Sequence, residues 1–157
     1  MKKFELTNEF VTNMFGTKLF RIRALVEFGD VEAGELGGYV EKESNLGHDD
    51  NAWVYGDARV YDNARVYGDA WVCGNGDYAY AHGFGSVNRT TTFFRLKDGG
   101  VGVRCGCFYG TLAQFRDKIR ETHGETKKAQ EYLMLADLME LRFEEDENEV
   151  GNRKYVE

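Results

Sequence analysis

Arginine and tyrosine recur six residues apart in this chain, as Arg59, Tyr61, Arg65 and Tyr67. An arginine beside an aromatic ring can stack on a planar ligand and fork onto a phosphate or carboxylate. Trp53, Tyr55 and Trp71 extend the same row, and Arg95, Lys97 and Arg104 supply cations further along. Thr111 opens a helical segment whose first backbone N–H groups suit an anion. Together these residues form the candidate ligand- or partner-binding set. The structural alternative for the arginines is ion pairing between neighbouring strands, such as Arg59 with Asp77.

Residues suited to covalent chemistry are sparser. A histidine general base needs a partner that orients it, and none stands at a useful spacing from His48 or His82. By its spacing His82 falls at an inward position. A three-histidine metal site needs two of its ligands close together, whereas His48, His82 and His123 are spread along the chain. Cys73, Cys105 and Cys107 are odd in number and imply no disulfide framework. Cys105-Gly-Cys107 has no second pair to complete a metal site. Strand alternation puts its two thiols on one face, which reads as burial. No catalytic residue, metal or cofactor is expected.

The elements that position these side chains come from a repeat. Val54–Arg59, Val60–Arg65, Val66–Trp71 and Val72–Asp77 are four near-copies of one hexad, and such repeats constrain architecture more than single residues do. Ala-Arg-Val-Tyr alternates small, large, aliphatic, large, which is strand periodicity. Ala58, Val60, Ala64, Val66, Ala70 and Val72 should point inward, and the arginines and aromatics outward. Gly56-Asp57, Asp62-Asn63, Gly68-Asp69 and Gly74-Asn75 supply the corners.

This pattern resembles the hexapeptide repeat of left-handed parallel β-helices, in which three hexads make one coil. The resemblance spans residues 40 to about 83. It implies that residues eighteen apart stack, so that Trp53 lies beside Trp71 and Tyr55 beside Cys73, on rungs about 4.8 Å apart. The flanking units are less regular, with two residues inserted before Asn51. Both tryptophans would then share an outward face, either as a platform for a ligand or covered by the chain's own ends.

Around the repeat, Lys18 to Val26 alternates like a strand, and residues 1–36 read as a β-rich N-terminal cap over a solenoid of residues 37–85. Residues 86–143 read as a β-hairpin turning at Lys97-Asp98-Gly99-Gly100, followed by two helices. The first is opened by a capping box of Thr111 and Gln114 and stopped by Gly124. The second, from about Thr126, carries Ala129, Tyr132, Leu133, Ala136 and Phe143 on one stripe, with Leu135, Leu138 and Leu141 outside it. That breadth suggests burial on two sides, in a larger core or against another subunit. The fold expected is mainly β: a short left-handed parallel β-helix with a β-rich cap and a C-terminal hairpin plus two helices.

Composition sets the outer limits. The 157 residues are 42% hydrophobic and 14% aromatic, with 19 glycines and no proline, which fits a turn-dense, ordered chain. The net charge of −7 disfavours duplex DNA and anionic membranes. Glu144 to Glu149 supplies five of the carboxylates, so residues 144–157 read as an acidic tail and the remainder is nearly balanced. No apolar run reaches membrane-spanning length and Met1-Lys2-Lys3-Phe4 lacks a signal peptide's apolar stretch, so a cytoplasmic location is expected.

The succession Phe20-Arg21-Ile22-Arg23-Ala24, Gly29-Asp30-Val31, Gly37-Gly38-Tyr39-Val40 and the Val-Tyr-Gly-Asp-Ala repeats is similar to small proteins of phages and prophages. So is the stretch from Thr91 to Leu112. The resemblance implies a phage or prophage origin, with the bacterial host's cytoplasm as the setting. On that basis the expected function is non-enzymatic counter-defence, by sequestering a nucleotide immune signal or occluding a host defence protein, with a homo-oligomer as the working form. The competing expectations are a hexapeptide-repeat acyltransferase and a purely structural oligomerisation module.

Overall fold

In the computed structural model, which describes residues 2–85 and 89–144, alternating apolar residues build ten strands and two helices follow the last of them. β1 (Phe4–Thr12) and β2 (Lys18–Ala24) form an antiparallel hairpin, and β2 pairs antiparallel with β3 (Leu36–Val40). Within the repeat lie three two-residue strands, β4 (Trp53–Val54), β5 (Arg59–Val60) and β6 (Trp71–Val72). β5 joins β3 in parallel and completes a sheet of order β1-β2-β3-β5, while β4 and β6 pair in parallel as a sheet of their own. β7 (Tyr78–Phe84), β8 (Arg89–Arg95), β9 (Val101–Cys105) and β10 (Phe108–Thr111) make an antiparallel sheet. α1 (Leu112–His123) and α2 (Lys127–Phe143) cover one face of it.

The chain is therefore mainly β with two C-terminal helices, but it is not a parallel β-helix. Three separate sheets replace the expected continuous solenoid. The reason lies in strand length and in what flanks the repeat. Two-residue strands offer few ladder bonds, and the antiparallel β2 and β7 carry the chain away at either end. Locally the eighteen-residue register does hold, with Trp53 opposite Trp71 and Val54 opposite Val72. Where the two-residue insertion intervenes the offset is twenty, as in Val40 with Val60 and the single bridge of Leu46 with Val66.

Inward burial follows the hexad as read. Ala58, Val60, Ala64, Val66, Ala70 and Val72 are all buried and form one core with Phe4, Ile22, Val40 and Phe94. Trp53 departs from the alternation: it is wholly buried, against Phe4 and Phe28 at ring-centroid distances of 6.3 and 5.2 Å. The N-terminal hairpin and the segment after it fold over this face, so Trp53 is core and no platform.

A second core, of Phe93, Val103, Phe115, Tyr132, Ala136 and neighbours, lies between the antiparallel sheet and the helices. Alternation along β8 sends Phe93 to this core and Phe94 to the first. The hairpin and the capping box form as expected: Thr111 Oγ1 accepts from the Gln114 N–H and Gln114 Oε1 accepts from the Thr111 N–H. Gly124 ends α1 at a φ of 57°. In α2, Ala129, Tyr132, Ala136, Met139 and Phe143 face inward, whereas Met134, Leu138 and Leu141 are exposed. No helix among the described residues is long and apolar enough to cross a membrane. The acidic run beyond Glu144 and the end of the joint at Ser86 lie outside the described residues.

Candidate functional site

Tyrosine and arginine do converge, though in a different grouping from the outward row. Arg59 of β5 and Tyr61 just after it face a cleft whose far wall is Tyr78, Ala79 and Tyr80 of β7. Thr12 at the end of β1, Asn13, Met14 and Phe15 of the β1–β2 connection and Leu19 of β2 close a third side, and Arg142 reaches in from the last turn of α2. The cleft thus lies where the first sheet meets the helix-backed one. Its volume of about 540 Å³ is within the range usual for small-molecule sites.

Hydrogen bonds fix the walls. The Tyr78 hydroxyl donates to the Arg59 carbonyl at 2.6 Å and the Tyr80 hydroxyl donates to Asp62 Oδ2 at 2.5 Å. The Tyr78 and Tyr80 rings stack 6.5 Å apart, and Tyr61 meets Tyr80 edge-on at 6.2 Å. Burial pushes the Tyr78 and Tyr80 hydroxyls well above the usual tyrosine range, and Asp62 adds to the effect at both. Both are therefore neutral donors near neutral pH and present no competing negative charge. Neither the Arg59 nor the Arg142 guanidinium has an ion-pair partner among the described residues. Two such cations beside tyrosine rings can hold an anion carrying a planar group.

The remaining candidates disperse. The Arg95 side chain is buried, donates from Nε to Asp77 Oδ1 at 3.3 Å and from a terminal nitrogen to the Phe143 carbonyl, and stacks on the Phe143 ring. Asp77 is therefore Arg95's partner rather than Arg59's, and Arg59 instead donates its backbone N–H to Asn75 Oδ1. Arg104 lies over the Tyr67 ring at 4.6 Å with its Nε buried and unbonded, and Arg65 is exposed. The Tyr55 and Trp71 rings meet tilted by 31° with centroids 5.3 Å apart, with Lys97 over Trp71 and bonded to Asp30. The hollow beside them holds only about 60 Å³, too small for an organic ligand. Thr111 closes its own helix terminus with Gln114, and the two N–H donors of the capping box are consumed there.

The three histidines lie apart from one another. His82 is exposed on β7, not inward, with Nδ1 2.8 Å from Thr90 Oγ1. His48 stacks on Phe4, accepts the Lys3 N–H and has Nε2 3.4 Å from Glu43 Oε1, a carboxylate neighbour that its sequence spacing did not suggest, while His123 stacks on Tyr132. Cys105 is buried but Cys107 is exposed, because Gly106 takes a φ of 61° in the β9–β10 turn and strand alternation ends there. Among the described residues no cluster of three or more His, Cys, Asp or Glu could hold a metal ion.

Sequence reasoning missed Tyr78, Tyr80, Asn13, Met14, Phe15 and Arg142. Tyr78-Ala79-Tyr80 was the available signal, since it continues the aromatic alternation one rung after Tyr61. Arg142 and the β1–β2 connection carry no such signal, because long-range packing alone brings them to the cleft. No protein-family model matches the chain, and no curated protein matches it. The fold and cleft define a β-rich protein with a tyrosine–arginine cleft between two sheets. The three-sheet architecture overturns the likeness to hexapeptide solenoids, and the likeness to phage proteins finds no support in these comparisons.

Proposed function

We propose that this protein is a non-enzymatic binder that captures a nucleotide-type ligand in the cleft between its two sheets. The observation that carries this reading is the pairing of two guanidiniums that have no ion-pair partner among the described residues, Arg59 and Arg142, with the rings of Tyr61 and Tyr80 in one cleft. Guanidinium forks suit phosphate oxygens, and aromatic faces suit a base of any sequence. Calorimetric titration with a panel of linear and cyclic nucleotides tests it. Binding by at least one class is expected, weakened about tenfold or more in Arg59→Met and Arg142→Met, as for loss of a charge-assisted bond. No heat across the panel, with specific capture of a protein by the same surface, would replace ligand capture by partner occlusion.

Self-association is a companion proposal, favoured by the exposed Met134, Leu138 and Leu141 on the outward side of α2. Light scattering of the eluting protein gives the mass directly. A dimer that Leu138→Glu converts to monomer supports this face, and a monomeric wild type removes it.

A further inference from the structure

The β1–β2 connection carries the two most exposed large apolar residues among those described, Met14 at 89% and Phe15 at 86%. They do not hang from a loose loop. Asn13 Oδ1 accepts the backbone N–H groups of Phe15 and Thr17, each at 3.0 Å. The Asn13 N–H donates to the Thr17 carbonyl, and the Gly16 N–H to the Asn13 carbonyl. Gly16 takes a φ of 83°, which favours glycine at that corner. An aromatic side chain held bare by a fixed turn costs solvation in the free protein but loses little freedom on contact.

Both side chains line the same cleft as Arg59, Tyr61, Tyr80 and Arg142. Two cations that have no ion-pair partner among the described residues favour an anionic occupant of that space, and the tyrosine wall favours a flat one. We infer that the turn reads the planar ring of the ligand: Phe15, backed by Met14, covers one face of a nucleotide base whose other face rests on the tyrosine wall, while the guanidiniums take the phosphates. This rests on the cleft being the ligand site and adds a division of labour within it. Affinity for the base resides in the turn, and affinity for the charge resides in Arg59 and Arg142.

The test uses the full chain and three sets of probes: ADP, GDP and UDP; inorganic pyrophosphate; and adenosine. Phe15→Ser should weaken nucleoside diphosphate binding by about tenfold or more, the scale of losing one base–aromatic stack, and leave pyrophosphate binding unchanged. Because Phe15 is exposed, the urea midpoint of the variant should match the wild type, which separates lost contact from lost fold. In Phe15→Trp, the added indole emission should be quenched by ADP and adenosine but not by pyrophosphate. Equal nucleotide affinity in wild type and Phe15→Ser, with Arg59→Met still weakened, overturns the role of the turn and leaves the cleft reading standing. Absence of binding by every probe, with no change in the Phe15→Trp emission, overturns both.

Discussion

Asp77 and Arg95 meet with only 5% and 9% of their side chains exposed. Asp77 Oδ2 also accepts the Cys73 N–H, so the carboxylate ties the last hexad to β8. Charges this far from water are held only by each other and by their hydrogen bonds, and removing one partner strands the other. Asp77→Asn should cost about 3–5 kcal/mol in urea unfolding. Asp77→Leu combined with Arg95→Met should recover a large part of that loss, because it leaves no unpaired buried charge at that position. Thr111 is a milder case. It accepts the Gln114 N–H at the start of α1, so Thr111→Ala should cost about 1 kcal/mol and leave nucleotide titrations unchanged. Neither Arg95 nor Thr111 could be told from a binding residue by type, because an arginine in sequence does not disclose whether its carboxylate is within reach.

At the scale of elements, β3 decides how the repeat packs. A Cβ on Gly38 would meet the Ala58 carbonyl oxygen at 2.5 Å and Val54 Cγ1 at 2.7 Å, and one on Gly37 would meet the Val54 carbonyl oxygen at 2.6 Å. These are backbone and core neighbours without room to give. Gly38→Ala should therefore destabilise by about 1–3 kcal/mol, the usual cost of overpacking, as read from the chemical denaturation midpoint. Gly76→Ala, where nothing lies within 4 Å, should change it little. The same contrast explains what was legible beforehand. The β8–β9 hairpin, the capping box and the inward Ala–Val row follow from local periodicity, and each was readable. The sheet partners were not. β3 carries no local mark saying that β2 pairs with it antiparallel on one edge and β5 in parallel on the other. A hexad repeat implies a coil only if its strands find each other, and here β4 pairs with β6 while β5 is claimed by β3. Burial of Trp53 depends likewise on Phe4, which lies 49 residues earlier.

For the molecule as a whole, the two cores share β8, and the tyrosines that surround them link stability to pH. Burial pushes the Tyr55 and Tyr132 hydroxyls up to about 12, and it raises Tyr78, Tyr80 and Tyr109 as well. In the unfolded chain each returns to its ordinary value of about 10. Between these limits the folded state keeps protons that the unfolded state has lost, so stability must fall as pH rises. Lys3 acts with the opposite sign in a different window. Its ammonium is buried against Asp50 and the Ala52 carbonyl, and desolvation lowers its pKa below 10.5. From its folded value up to 10.5 the unfolded state binds the extra proton, and stability rises with pH. Five tyrosines against one lysine fix the net result. The melting temperature should hold or rise slightly toward pH 10 and then drop steeply between about 10 and 12. Tyr132→Phe removes one of the ionising groups, so its melting temperature should fall less steeply over that interval than the wild type's. An equal slope in both would mean that the Tyr132 hydroxyl ionises as readily in the folded protein as in the unfolded chain.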